Sequence, residues 1–432
     1  MPKIKVIVEA KENIFLGSGL PVENIQTSRN FIAGSVLRGA LAQAILRPLG
    51  LWKHEVGLES EPPEASPPEG FAEVFLAKPP ARFGFLYPIW KVGKTGEEPG
   101  KGDVFPFPLT AFTCKAHRGF KVEGGHGVWD ELLYKLQCLV KGKSPARGDC
   151  PDEGCEEPLE RLRGFVARIG DTYRRVEVHP RLLVRVGLNR LTETAEGGIL
   201  YTQEALPPHQ RVEAEDRFLH FVGYWQMSDE QWEALKGLLE KFVPKDGEGY
   251  SLRIGTARAR GMGAVTLRWT EKPAPELPLL EKRLGDFQPK DTDGQELDSD
   301  HWYFALTLRS PLLIYDKQGR PTTRLEKDVL ENYVSAIPQG LEFLRDASVI
   351  EREEWSGWSA AWGLPKPVVT AVAAGSVLAF RAPKGEKEAV LAFLQEAEEY
   401  GLGEGRAEGW GEVVACDPFH VKFALEVKDE QG

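Results

Sequence analysis

The chain has 432 residues, too many for one ordinary hydrophobic core, and its 42% hydrophobic and 28% charged content belongs to a globular protein rather than a disordered one. No apolar run reaches the roughly eighteen residues of a membrane-spanning helix, and a formal net charge of −11 argues against general coating of nucleic acid while leaving room for a local basic groove. The opening MPKIKVIVEA alternates like a strand and lacks the apolar core of a signal peptide, so a cytoplasmic protein is expected.

Residues 3–17 read as the opening strand of the first half, and 31–45 as a glycine turn entering a helix. Residues 53–70 form an acidic, proline-rich stretch expected to be mobile. Four of the five cysteines fall between 114 and 155. Residues 217–225 read as a strand. The next segment, SDEQWEALKGLLEKF (228–242), opens on a Ser228/Gln231 capping box and runs at helical period. The glycine-rich RIGTARARGMGAVTL (253–267) follows. Residues 271–301, rich in proline and aspartate, read as a linker.

Beyond the linker the pattern starts again. A strand at 302–316, a strand at 376–382 and a helix at 385–401 lead into GLGEGRAEGWGEVV (401–414). Gly255 and Gly403 lie 148 residues apart, and at the same offset Arg258 meets Arg406, Gly261 meets Gly409 and Gly263 meets Gly411. Repetition of strand, helix, glycine turn and strand predicts an α+β protein of two ferredoxin-like β-α-β-β-α-β domains. The expected boundaries are 1–270, with an insertion at about 110–160, and 302–425.

Glycine allows left-handed backbone and close approach of another chain, and arginine brings a planar fork of donors. Each turn therefore suits either an RNA backbone or tight packing on its own domain with the arginines solvated. The copies differ in charge. Glu404 and Glu408 stand where the first has Thr256 and Arg260, which turns the second copy toward a structural role or a protein neighbour.

Cys150 and Cys155, in a polar turn, have the short spacing of two ligands of tetrahedral zinc. Cys114 and Cys138 are the expected remaining ligands, with His117 as a substitute for Cys138, which also fits a core thiol of a helix at 131–140. The site would be structural, since no carboxylate is placed as a base for catalytic zinc. Cys416 is expected to be buried and inert.

The arginine-centred glycine turn closing a ferredoxin-like unit resembles the signature of the RAMP superfamily, the repeat-associated subunits of CRISPR effector complexes. FIAGSVLRGALAQAI (31–45) looks like the family's early turn and helix, with Ala33 where proline is usual. VGLNRLTETAEGGILYTQEALP (186–207) looks like its central hairpin, and VAAGSVLAF (372–380) its second-half motif. TCKAHRGF with HGVWDELL (113–133), and the cysteines beyond, resembles the large two-domain protein of type III-D complexes. The resemblance implies a subunit that binds CRISPR RNA at its 5′ repeat-derived handle, next to other RAMP subunits and the large signalling subunit, with target RNA within reach.

On that reading Gly255, Arg258, Arg260, Gly261, Gly263 and Arg406 meet RNA phosphates. Gly34 and Ser35 offer free N–H groups at a helix start, helped by Arg38. Arg190, Thr192 and Tyr201 lie on the hairpin, where bases stack or are displaced. Two other readings remain open. A RAMP endoribonuclease would need a catalytic group: the loop at 19–31 has no aspartate, Glu23 being its weak substitute, and His117 and His126 are weak candidates for general acid or base. A protein-interaction scaffold without RNA contact would use Trp355, Trp358 and Trp362, which fit equally well as a plug between the halves.

Overall fold

Two antiparallel sheets, one in each half, follow the same strand plan in this computed structural model, which describes residues 2–18, 25–52, 66–93, 101–145, 148–188, 192, 194–212, 214–270, 277–359 and 363–425. In the first half the strand Lys3–Ala10 lies between Glu215–Gln226 and Ala264–Thr270, all antiparallel, and Glu215–Gln226 pairs outward with Arg82–Val92. In the second, His301–Leu308 lies between Val377–Pro383 and the short strand Val413–Ala415, and Val377–Pro383 pairs outward with Glu342–Phe343. Second, third, first and fourth core strands thus stand side by side twice, the ferredoxin-like order. The expected α+β class and its duplication are present. The second copy is reduced, its outer strand to two residues and its first helix to Lys327–Leu330.

Alternation along Lys3–Ala10 explains how the first sheet is covered. Val6 and Val8 point to the helices Gly34–Leu46 and Asp229–Phe242, joining a core with Leu37, Leu41, Leu235 and Leu239. Ser228 caps the second helix with both arms of the box in place, at 3.2 and 3.0 Å. Ile7 points to the other face, where Phe85, Tyr87 and Val222 of the first half meet Trp355, Ala371 and Trp410 of the second. Trp355 packs on Trp410 with ring centroids 4.9 Å apart, and the Arg29 guanidinium lies 3.3 Å over it. Trp355 therefore plugs the contact between halves. Trp358 is exposed, and Trp362 lies outside the described residues.

Two segments depart from their sequence reading. Within 271–301 the helix Leu280–Asp286 sends Leu284 and, just beyond, Phe287 into the core of the second half, and Arg283 pairs with Glu398 at 2.8 Å. Leu280, Leu284 and Phe287 have helical spacing, but the prolines and aspartates around them hide it. The inserted region also reaches further than 110–160: Asp103–Pro106, Phe165–Ile169 and Thr172–Val176 form a sheet that flanks it. Asp103 there accepts from buried Lys5 (3.3 Å) and Arg168 (2.8 Å), tying the insertion to the opening strand.

The glycine turns show the repeat at atomic level. A Cβ on Gly255 would lie 2.2 Å from the Phe15 carbonyl oxygen, and one on Gly403 2.2 Å from that of Leu313. In each turn the following amide donates to the same carbonyl: Thr256 at 3.1 Å and Glu404 at 2.8 Å. The two apices differ. Around Gly261 there is open space, whereas a Cβ on Gly409 would lie 2.4 Å from the Phe83 carbonyl oxygen in the other half. Both have positive φ, +72° and +80°. Gly261→Ala should therefore cost about 1 kcal/mol, the left-handed penalty alone. Gly409→Ala should cost about 2–4 kcal/mol, because overpacking against backbone is added. Thermal unfolding of the two variants checks this, and equal shifts would contradict the difference between the turns.

Candidate functional site

The first glycine turn faces solvent and gathers cations. The short helical turn Arg258–Arg260 leaves Arg260 exposed and Arg258 half-buried. Arg258 donates to Gln43 near the end of the helix Gly34–Leu46. Burial, followed by the nearby Arg47, holds its pKa below the usual arginine range. Arg260 donates to the Tyr201 hydroxyl at 2.7 Å. Tyr201 sits on the hairpin Arg181–Leu188/Ala195–Ala205, directly across from Arg185, whose guanidinium lies 3.7 Å from the Met262 sulfur. Met262 is buried with Phe15 and Ala205, so the turn and the hairpin are packed as a unit. Arg47, Arg185, Arg258 and Arg260 converge here, and none has a carboxylate partner among the described residues. A phosphate chain is the natural complement of such a cluster.

The second turn is spent internally. Arg406 donates to its own loop at Gly403 and to the Tyr333 carbonyl, both at 2.9 Å. Burial lowers its pKa, opposed by Glu404 and Glu396. Glu404 is exposed, and Glu408 lies 3.6 Å from Lys366.

Gly34 and Ser35 lie elsewhere. The helix they open places them roughly 13 Å of axial rise from Gln43. A Cβ on Gly34 would lie 1.7 Å from the Phe83 oxygen and 2.4 Å from the Glu408 oxygen, so the second turn abuts this helix start. Arg38 donates to the Phe75 carbonyl at 2.7 Å. Thr192 is exposed, with its hydroxyl 2.8 Å from that of Thr194. Arg190 and Glu23 lie outside the described residues. The structure thus joins Tyr201, Arg258 and Arg260, and separates them from Gly34, Ser35, Arg38 and Arg406. Sequence reasoning missed Arg47 and Arg185. Arg185 sits in RLLVRVGL, where alternation puts it on the face opposite Leu182, Val184 and Val186.

A second cluster lies in the insertion. Cys114, His126, Cys150 and Cys155 bring their ligand atoms within 4.8 Å of one another and could hold a metal ion. Cys114 and Cys155 sulfurs are 3.8 Å apart, and the Cys150 sulfur is 3.6 Å from His126 Nδ1. Thiolates about 2.3 Å from a tetrahedral centre stand on the order of 3.8 Å apart, so the donor set fits zinc-like coordination. His126 stands in the fourth position of the group, where Cys138 or His117 was expected. Cys138, buried on the helix Leu132–Val140, is not part of the group, and His117 stacks flat on His126 with ring centroids 4.0 Å apart. The His117 amide donates to the Cys114 sulfur at 3.4 Å, and Asp152 lies 3.8 Å from His126 Nδ1. Burial pushes the Cys150 thiol up to about 12, so a bound cation is what would ionise it at neutral pH. Cys416 is buried, and burial raises its pKa to about 12 as well.

Residues 7–266 match the family model of the RAMP superfamily, and residues 182–416 match that of CRISPR-associated protein (Cas_Cmr3). No curated protein matches in sequence. Among solved structures, a chain of Type III-B Cmr-beta bound to cognate target RNA and AMPPnP is 13% identical and has a TM-score of 0.39, with 87% of this chain and 86% of that chain covered. A chain of the same assembly bound to cognate target RNA is 13% identical at a TM-score of 0.36, covering 89% and 88%. A Cas6 product complex is 12% identical at 0.29, covering 48% and 82%. Among the described residues no helix is long and apolar enough to cross a membrane.

The metal cluster makes a direct prediction. Metal analysis of the pure protein should find bound metal, His126→Ala should lose most of it, and Cys138→Ser should keep it. Retention by His126→Ala with loss in Cys138→Ser would restore the all-cysteine set.

Proposed function

The chain belongs to the RAMP superfamily and, within it, to the family described as CRISPR-associated protein Cas_Cmr3, and on that premise we propose that it holds CRISPR RNA within a type III antiviral effector complex. The guide's 5′ repeat-derived handle is the segment we assign to it. Other RAMP subunits and the large signalling subunit are its neighbours, and target RNA passes nearby. Residues 113–133 support a place in the type III-D branch.

One observation carries the reading: the first glycine turn is open and ringed by four arginines without carboxylate partners among the described residues, while its duplicate is closed. Tyr201 adds a ring beside the cations, suited to a base next to the bound backbone. The bare apex at Gly261 lets a phosphate approach the main chain. We further infer that the metal of the Cys114/His126/Cys150/Cys155 group is zinc, the ion that three thiolates and one imidazole in tetrahedral array favour. A zinc closed in by four protein ligands is structural, and His126 as a ligand is not available as a proton carrier.

Titration of handle-bearing guide RNA against the full chain tests the RNA assignment. Arg258→Ala/Arg260→Ala should weaken binding by about 10- to 100-fold and reduce the slope of log affinity against log salt by about 1.4, roughly 0.7 for each phosphate no longer neutralised. Arg406→Ala should leave the slope unchanged. Wild-type slope in the double variant would refute the assignment.

A further inference from the structure

The metal cluster closes a loop whose contents lie in the other half of the molecule. From His126 the chain forms the strand Val128–Asp130 and the helix Leu132–Val140, then returns to the cluster at Cys150. Leu132, Leu133 and Leu136 from this helix are buried in the core of the second half, with Phe304, Phe380 and Phe393. Asp130, fully buried, is a junction for the same contact. Its carboxylate lies 3.0 Å from His420 Nδ1 and accepts from Thr110 Oγ1 at 2.6 Å. His420 Nε2 is 2.8 Å from Thr307 Oγ1 on the central strand of the second half. The Asp130 amide donates to the Phe423 carbonyl at 2.6 Å, and the Leu425 amide donates to the Asp130 carbonyl at 2.9 Å.

The ends of this loop are held by backbone pairing with little apolar cover: Val128–Asp130 pairs with Ala111–Cys114, the His126 amide donates to the His117 carbonyl at 3.0 Å, and the Cys150 amide donates to the Glu157 carbonyl at 2.8 Å. The apolar cluster beside the metal ligands has only Phe112 and Leu159 buried besides Cys114 and Cys150, with Trp129 and Cys155 half-covered against them. Residues 141–145 and 148–149, which lead back to Cys150, are exposed. A loop of this length has a substantial closure entropy, and four coordination bonds offset it where apolar burial does not.

We infer that zinc at this site fastens the insertion to the second half: with the ion bound, the loop between His126 and Cys150 is closed and Asp130, Leu132, Leu133 and Leu136 are held in register with the strand His301–Leu308 and the segment Asp417–Leu425. The inference rests on the zinc reading above and extends it from the ligands' own lobe to the contact with the second half. The carboxylate–imidazole–hydroxyl chain through Asp130, His420 and Thr307 is then a structural tie whose alignment depends on the ion.

Amide hydrogen exchange on the full chain, with zinc content measured on the same samples, is the test. Removal of zinc by chelation should speed exchange about tenfold or more in 128–140, 301–308 and 417–425, with 3–10 and 229–242 unchanged, and added zinc should reverse it. His126→Cys, which keeps four ligands, should retain both zinc and protection. His126→Ala should match the chelated protein. If it aggregates, the chelated wild type gives the same reading. Zinc lost with exchange at 301–308 and 417–425 unchanged would overturn the fastener while leaving the zinc reading intact. Faster exchange spread equally over 3–10 would also overturn it. No zinc bound, even after addition, would remove the reading beneath it.

Discussion

The Phe83 carbonyl oxygen is a point where three chain segments meet with no side chain between them. Gly34 of the first helix, Gly409 of the second glycine turn and the strand carrying Phe83 approach so closely that a Cβ on either glycine would fall within 2.4 Å of that oxygen. Only bare backbone allows this. The contact seats the second turn on the first half, brings Trp410 against Phe85 and Trp355, and lets Arg82 donate to the Glu399 carbonyl at 2.7 Å at the end of the helix Lys387–Tyr400. A cation there also suits the negative end of the helix.

The close approach divides the labour between the duplicates. Many β-α-β-β-α-β domains read RNA on the open face of their sheet, through aromatic side chains. Here that face of the first half carries Phe85 and Tyr87, but both are buried under the second half. The arginines at the edge where the first turn meets the central hairpin stay open to solvent or half-buried. Charge follows the same division: Thr256 and Arg260 on the open turn, Glu404 and Glu408 on the closed one. One backbone device, built around carbonyls that follow the first strand of each half, thus serves as a solvent-facing turn in one copy and as a clamp in the other.

Much of this was legible from local pattern. The capping box at Ser228 and the helices before each glycine turn are short-range signals, the 148-residue offset is a match between two short motifs, and each corresponds to an element of the structure. The sign change at Glu404 and Glu408 already separated the two turns. What stayed hidden depends on contacts between distant segments. Leu132, Leu133 and Leu136 look like the core of a small insertion, yet they fill the second half. Leu280, Leu284 and Phe287 are masked by linker-like composition. His126 lies 12 residues from Cys114 in a glycine-rich stretch, and only the pairing of Ala111–Cys114 with Val128–Asp130 folds it back over the cysteines.

The central claim is that only one of the duplicated turns faces RNA. Photocrosslinking of guide RNA to the full chain, with adducts mapped by mass spectrometry, examines both turns in a single experiment. The account predicts adducts within 253–263 and on the hairpin at 181–205, and none within 401–411. Equal labelling of the two turns, or labelling of the second alone, would contradict it.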